Sequence, residues 1–188
     1  MDKDVSLTGQ LLIAMPGIEE PFERAVVYMC AHDDDMAMGL AVNQPVEGLS
    51  LADLLSRLDV ENAIRAPAGM VLLGGPVERE RGFVLHTDDF DSAGSTLAIG
   101  GRLSLTTTRD VLAAMANDSL RPRRSLLALG YAGWGAGQIE RELRENVWLV
   151  AEPDDEILFG DDHAHKWERA LAKLGIDPSH LTASAGRA

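Results

Sequence analysis

From Ser125 to Val150 the chain reads SLLALGYAGWGAGQIERELRENVWLV, and this stretch constrains the fold more than any other. Ser125 to Leu129 is a short apolar run of the kind that makes a buried strand. Glycines follow at 130, 133, 135 and 137, with Tyr131 and Trp134 among them. Glycine tolerates positive φ and close backbone approach, so the run predicts a tight bend. The next residues predict a short helix, with Ile139 and Leu143 on one face and a Glu140–Arg144 pair four apart. Asn146 is suited to a left-handed stop, and Val147 to Val150 reads as a return strand. Trp134 and Trp148 are expected to pin the bend to the sheet. An exposed Trp134 would instead mark a partner-binding spot. The glycines fit neither phosphate-binding template: Ala136 and Gly137 stand where a P-loop needs Lys and Ser/Thr, and the dinucleotide spacing is absent. Glu140 and Glu142 in the first turn would repel an anion.

The rest of the chain reads as short strands with few helices. Strands are expected at Leu11–Ala14, Ala25–Cys30, Met38–Val42, Val71–Leu73, Phe83–His86, Thr96–Ile99 and Leu103–Leu105. His32-Asp33-Asp34-Asp35 reads as a solvated hairpin turn, without the ligand spacing of a calcium loop. Asn43-Gln44-Pro45 breaks a strand, and Gly100-Gly101 makes a turn. Ser50 with Asp53 predicts a capped helix carrying Leu51, Leu54, Leu55 and Leu58. Thr107 with Asp110 predicts another, with Val111, Leu112 and Met115 inward. Glu152 to Asp155 reads as a turn. A last helix starts at Asp161 or Asp162, carries Trp167, Ala170, Leu171 and Leu174 on one face, and closes at Gly175. The strands do not alternate regularly with helices, which favours an α+β fold over a doubly wound sheet. No linker divides the 188 residues, so residues 1–188 are expected to form a single domain.

Composition excludes several activities. Seventeen basic side chains against 30 acidic ones give a formal charge of −13. Such a surface is repelled by phosphate backbones, so direct nucleic-acid binding is not expected. Arg121-Pro122-Arg123-Arg124 is too short a basic cluster to reverse this. Cys30 is the only cysteine, which rules out an internal disulfide or multi-cysteine zinc site and fits a reducing compartment. The apolar run Leu11 to Met15 is too short for a signal-peptide core, and no run is long enough to span a membrane. A cytoplasmic protein without cofactor is expected.

Taken in order, LLIAMPGIEEPF from Leu11, VVYMCAH from Val26, MGLAVNQP from Met38, GGPVERERGFVLH from Gly74 and LGYAGWGAGQIERELRENVWL from Leu129 resemble the AlgH/YqgE family of bacterial proteins. Smaller echoes occur at Leu105-Thr106-Thr107 and in LGIDPSHL from Leu174. The resemblance implies a branched, mostly antiparallel sheet that partly closes into a barrel, flanked by short helices. It implies no established molecular function. One family name suggests transcriptional regulation, which on this acidic chain would run through a protein partner rather than DNA. Gln44 and Arg187 depart from the family, standing where a basic residue and a His are common.

Two kinds of chemistry remain. Cys30 and His32 are two apart on an expected strand, so they would point the same way and could cooperate in a thiol-dependent or hydrolytic enzyme. Against that, free Cys in an apolar strand usually packs as a small core residue. His32, Asn43, Arg81, His86 and Gln138 lie at strand ends or beside glycine bends. Together with Trp134 they are the candidate binding residues, with Arg81 able to clamp a carboxylate or phosphate. The opposing reading is that each satisfies buried backbone groups. His163 and His165, two apart on a helix, make a poor metal pair. With no complete catalytic constellation, the sequence favours a non-enzymatic binding or regulatory module that holds a protein partner or a small anion.

Overall fold

The computed structural model describes residues 5–181; Arg187 lies outside them. Ten strands and five short helices form one mixed unit: β1 (Leu11–Ala14), β2 (Val26–His32), β3 (Met36–Ala41), β4 (Pro45–Ser50), α1 (Leu51–Arg57), β5 (Met70–Leu73), β6 (Val77–Thr87), β7 (Thr96–Gly100), β8 (Leu103–Thr106), α2 (Arg109–Met115), β9 (Ser125–Gly135), α3 (Gln138–Arg144), β10 (Trp148–Ala151), α4 (Asp155–Phe159) and α5 (Lys166–Lys173). The strands run in the order β10-β1-β2-β3-β9-β6-β8-β7, with β5 joining β9 in parallel and β4 lying beside β5. This is the expected α+β architecture, an antiparallel sheet curled into a half-barrel.

β9 is where the sheet branches. Its C-terminal half pairs with β3, from Gly39↔Ala132 to Met36↔Gly135. Its N-terminal half pairs on the same edge with β5, at Leu72↔Ala128 and Leu73↔Leu129. Gly74 and Gly75 are wedged at the fork, where Gly74 N–H donates to the Leu129 carbonyl and Ala41 N–H to the Gly74 carbonyl. A Cβ on Gly75 would lie 2.1 Å from the Tyr131 backbone, so no other residue fits. Gly130, at φ +73°, turns the strand there. The expected bend over 130–137 is therefore corrected: the strand continues to Gly135, and only Ala136 and Gly137 turn into α3. Glycine at 133 and 135 does not break the strand because the cross-strand partners Met38 and Met36 hold it in register.

Three apolar clusters follow from the two faces of this sheet. The concave face gathers Leu11, Tyr28, Cys30, Leu40, Phe83 and Leu105 with the helical residues Ile157, Leu158, Trp167 and Leu171. α4 and α5 thus plug one end of the half-barrel. On the opposite face, Leu12, Val27, Met29, Ala132, Trp134 and Trp148 pack with Ile139 of α3. A third cluster packs α1 and α2 through Leu51, Leu55, Val111 and Met115 onto Val84 and Leu127.

Local chemistry explains most ends. Ser50 and Asp53 form the full capping box of α1. Leu55 is buried as expected, whereas Leu58 sits at the C-cap, 37% exposed. α2 departs from expectation: Thr108 is its N-cap and makes no side-chain cap bond, because its hydroxyl donates to Asp110 instead. Two elements escaped the sequence reading. β4 forms despite Pro45 because it is an outer strand, where a missing N–H is tolerated. α4 follows directly on the expected Glu152–Asp155 turn because Asp154 caps it, accepting from Ile157 N–H at 2.9 Å.

Candidate functional site

The six residues proposed from the sequence do not form one cleft. His32 reaches from the end of β2 to α3: its Nδ1 accepts from Leu7 N–H at 3.0 Å and its Nε2 donates to Glu140 Oε1 at 2.6 Å. Burial pushes the Glu140 carboxyl up, but the His32 hydrogen bond, its own N–H and the nearby charges of His32 and Arg144 hold it below the usual range. Asn43 ties two segments of backbone, accepting from Val26 N–H at 2.9 Å and donating to the Arg24 carbonyl at 2.8 Å. Gln138 accepts from Gly135 N–H and donates to Glu142 Oε1, each at 3.0 Å.

Trp134 is buried, with 5% of its surface exposed. Its indole N–H donates to Glu142 Oε2 at 2.9 Å, and the Trp148 indole donates to the same oxygen at 2.8 Å. The two indoles meet edge to face at 5.9 Å, and Phe22 packs on both. Each such aromatic pair adds about 1 kcal/mol beyond its buried area. Trp134 is therefore an anchor of α3, and the exposed partner-binding spot is corrected.

His86 is fully buried. Its Nδ1 donates to the Thr87 carbonyl, and its Nε2 accepts from Thr106 Oγ1, both at 2.7 Å. Thr96 Oγ1 continues the chain to Thr106 at 2.8 Å and accepts from Ser92 N–H at 2.8 Å. Every polar atom in this line has a partner, and burial pulls the imidazole below its ordinary pKa despite the Thr87 bond and the Asp89 and Asp91 charges. The histidine stitches β6, β8 and β7 together.

The thiol reading also meets a geometric obstacle. β2 carries a bulge at Cys30, where Met29 faces Gly39 but Ala31 faces Met38. An extra residue reverses the alternation beyond it. Cys30 consequently packs in the concave cluster, while His32 reaches α3 on the opposite face. Burial pushes the Cys30 thiol up to about 12, the reverse of what a nucleophile needs.

Arg81 is different. It is exposed, its guanidinium lies 5.2 Å above the Phe83 ring, and its Nη1 is 3.5 Å from Glu78 Oε2. It stands on a wide bulge of β6, where Val77 faces Tyr131 and Gly82 faces Leu129, so residues 78–81 loop outward. Three pockets adjoin it: an open one of about 650 Å³ over Pro76 and residues 78–81, and two others. One, of about 360 Å³, lies between α1 and α2 over Val84, Leu127 and Leu129. Arg109 straps its mouth, with Nη2 donating to the Leu58 carbonyl. The other, of about 320 Å³, is the end of the half-barrel that α4 and α5 leave uncovered. Met36, Met38, Phe83, Leu97, Leu105 and Tyr131 line it, with Arg81, Glu78, Ser95 and Thr107 at its rim. Met36 is 40% exposed and Leu97 50%.

That end is open for a reason visible in β9. Alternate residues send Ala132 and Trp134 to α3, so Gly133 and Gly135 lie on the concave side and contribute no side chain. A Cβ at Gly135 would meet nothing within 4 Å. Methionine, aromatic residues and arginine around an apolar hollow have the composition of a binding surface. The sequence places Met38, Phe83, Leu97 and Leu105 on strands but leaves Met36 outside its strand and Tyr131 in the glycine bend, and it marks none of them as a site. Their alternation gives a face, and nothing local says that the face stays uncovered.

A half-barrel of this topology, with an apolar hollow at its open end, defines a small α+β protein whose antiparallel sheet curls around one concave core. The chain belongs to the AlgH-like family, whose model matches residues 11–179. It is 66% identical over 183 residues to a UPF0301 protein of Caulobacter vibrioides, covering 97% of this chain and 94% of the relative. A UPF0301 protein of Cereibacter sphaeroides is 48% identical over 185 residues, covering 98% and 100%. The solution structure of AlgH from Pseudomonas aeruginosa matches at TM-score 0.76 and 40% identity, covering 100% of this chain and 99% of that one. A crystal structure of a Corynebacterium diphtheriae protein matches at TM-score 0.72 and 18% identity over 91% and 88%, which shows a shared fold. No helix among the described residues is long and apolar enough to cross a membrane.

Proposed function

We propose that this protein is a non-enzymatic binding module whose partner is another protein, held at the open end of the half-barrel. One observation carries the reading: an apolar hollow built from Met36, Met38, Phe83, Leu97, Leu105 and Tyr131 is left uncovered beside Arg81. The other sequence candidates spend their polar groups inside the fold, as the hydrogen bonds of His32, Asn43, His86, Trp134 and Gln138 show. A small anion at Arg81 is the weaker alternative, because Glu78 and Glu80 stand beside that guanidinium. An effect on transcription would pass through the protein partner, since a charge of −13 opposes contact with a phosphate backbone. A cytoplasmic location is supported by the single free thiol.

Site-specific photo-crosslinking in cells tests this. A photoreactive side chain at Leu97 should give a discrete adduct that Met36→Glu abolishes. The same group at Leu120 or Ile64, exposed apolar positions outside the hollow, should give none. Identical adducts from all three positions, or none from Leu97, would refute the assignment.

A further inference from the structure

β7 closes the sheet order, and among the described residues no strand pairs with its outer side. Proteins normally blunt such an edge with charge, proline or cover, because unpaired N–H and C=O groups invite a further strand. β4 follows that rule with Pro45 and Glu47, and β10 is followed at once by Glu152 and Pro153. β7, reading TLAIG, carries neither charge nor proline. Leu97 and Ala98 are exposed, and Leu97 also lines the open hollow. Thr96 N–H donates to the Ser92 carbonyl, in the loop before the strand, at 3.1 Å. Strand alternation therefore directs the Ala98 N–H to the outer side as well. A register shift between Ala98 and Gly100 ends the template there, so it can seat one short segment without propagating.

We infer that the outer edge of β7 receives an extended, basic segment of a partner protein as an added antiparallel or parallel strand, with an apolar side chain laid beside Leu97 toward the hollow. The inference rests on the protein-binding reading above and names the partner's chemistry. Charge selects the occupant. The chain carries −13, and the loop leading into β7 contributes exposed Asp88, Asp89 and Asp91, which outnumber Arg102 in the following turn and Arg81 at the rim of the hollow. A second copy would bring the same net charge to the same edge and be repelled. A lysine- or arginine-bearing strand is attracted, while its backbone supplies the affinity and its alternate side chains the specificity.

The test uses the full-length protein and a fluorescent synthetic peptide alternating lysine with isoleucine. Binding is followed by anisotropy and by amide hydrogen exchange. The inference expects binding that weakens with salt, slowed exchange at Ala98, and loss of binding when glutamate replaces lysine. It also expects loss when alternate peptide nitrogens are methylated, a change that leaves the protein untouched. Ala98→Pro, checked for an unchanged melting temperature, should weaken binding about tenfold by removing one edge donor. Protection at Met36, Met38 and Tyr131 without protection at Ala98 would overturn the strand-addition claim while leaving the hollow as a binding site. No perturbation in either region would sink both. Concentration-dependent dimerisation that protects Ala98 without peptide would show the edge to be a self-contact and overturn the basic-partner claim.

Discussion

Replacing Glu142 is the sharpest test of the architecture, because one carboxylate there satisfies three donors. Its Oε2 accepts both indole N–H groups, at 2.9 Å from Trp134 and 2.8 Å from Trp148, and its Oε1 accepts from Gln138 at 3.0 Å. Glu142→Leu keeps a side chain of similar reach but leaves two indole donors without an acceptor in a largely buried setting. An orphaned donor costs about 1–3 kcal/mol, and partial exposure favours the lower half, so the pair should cost about 2–4 kcal/mol. Glu142→Gln keeps one carbonyl oxygen that can still take both indoles, but its amide faces the Gln138 amide donor to donor. Losing the charge and one bond should cost about 1–2 kcal/mol. Urea unfolding followed by tryptophan fluorescence measures both, since two of the three indoles lie in this cluster. Equal destabilisation by the two variants, or a Leu variant as stable as wild type, would refute the shared-acceptor argument.

Three further outcomes follow from buried groups. Lys166 is fully buried, with Nζ donating to the carbonyls of Val42 at 2.9 Å and Leu158 at 3.4 Å. Burial pulls it from 10.5 to about 8, against the attraction of Asp161, Asp162 and Glu156. Between those values the unfolded chain holds the proton and the folded chain does not, so stability should rise with pH there, by about 3 kcal/mol at most. That rise should be missing from Lys166→Met in parallel unfolding curves, and identical profiles for the two proteins would contradict the assignment. Cys30, 1% exposed and raised by burial, should label with iodoacetamide only as fast as the protein opens, and at an ordinary thiol rate in urea; rapid native labelling would revive the thiol chemistry. Gly130→Ala should destabilise by about 3 kcal/mol or more, since φ is +73° and the new Cβ would lie 2.5 Å from the Gly75 carbonyl oxygen. A melting temperature equal to wild type would show that the fork can relax.

The sequence displays the parts of this fold that local chemistry decides. Ser50 and Asp53 announce α1 because the capping box is a contact within one turn. Gly100-Gly101 announces the β7–β8 turn for a similar reason. The branch at Gly74, Gly75 and Gly130 is not legible as a branch, because it depends on two segments far apart in the chain touching backbone to backbone. The bulge at Cys30 is equally hidden, and it alone separates Cys30 from His32. Lys166 carries a faint signal, one turn before Ala170 on the apolar stripe of α5, but its Val42 partner lies on a distant strand end. The candidate polar residues lie at strand ends or beside bends, and bends are where backbone groups most need side-chain partners. Asn43 and Gln138 serve that need, while the hollow is walled by residues that in sequence look like ordinary core.

On the proposed reading the half-barrel works through its uncovered end. Amide hydrogen exchange of the full chain, alone and joined to the partner trapped from Leu97, addresses it most directly. Protection is expected over Met36 to Met38, Thr96 to Ala98 and around Tyr131, with α1, α2 and α3 unchanged. Protection centred on the Arg109-strapped groove between α1 and α2, with the open end exchanging as freely as before, would contradict it.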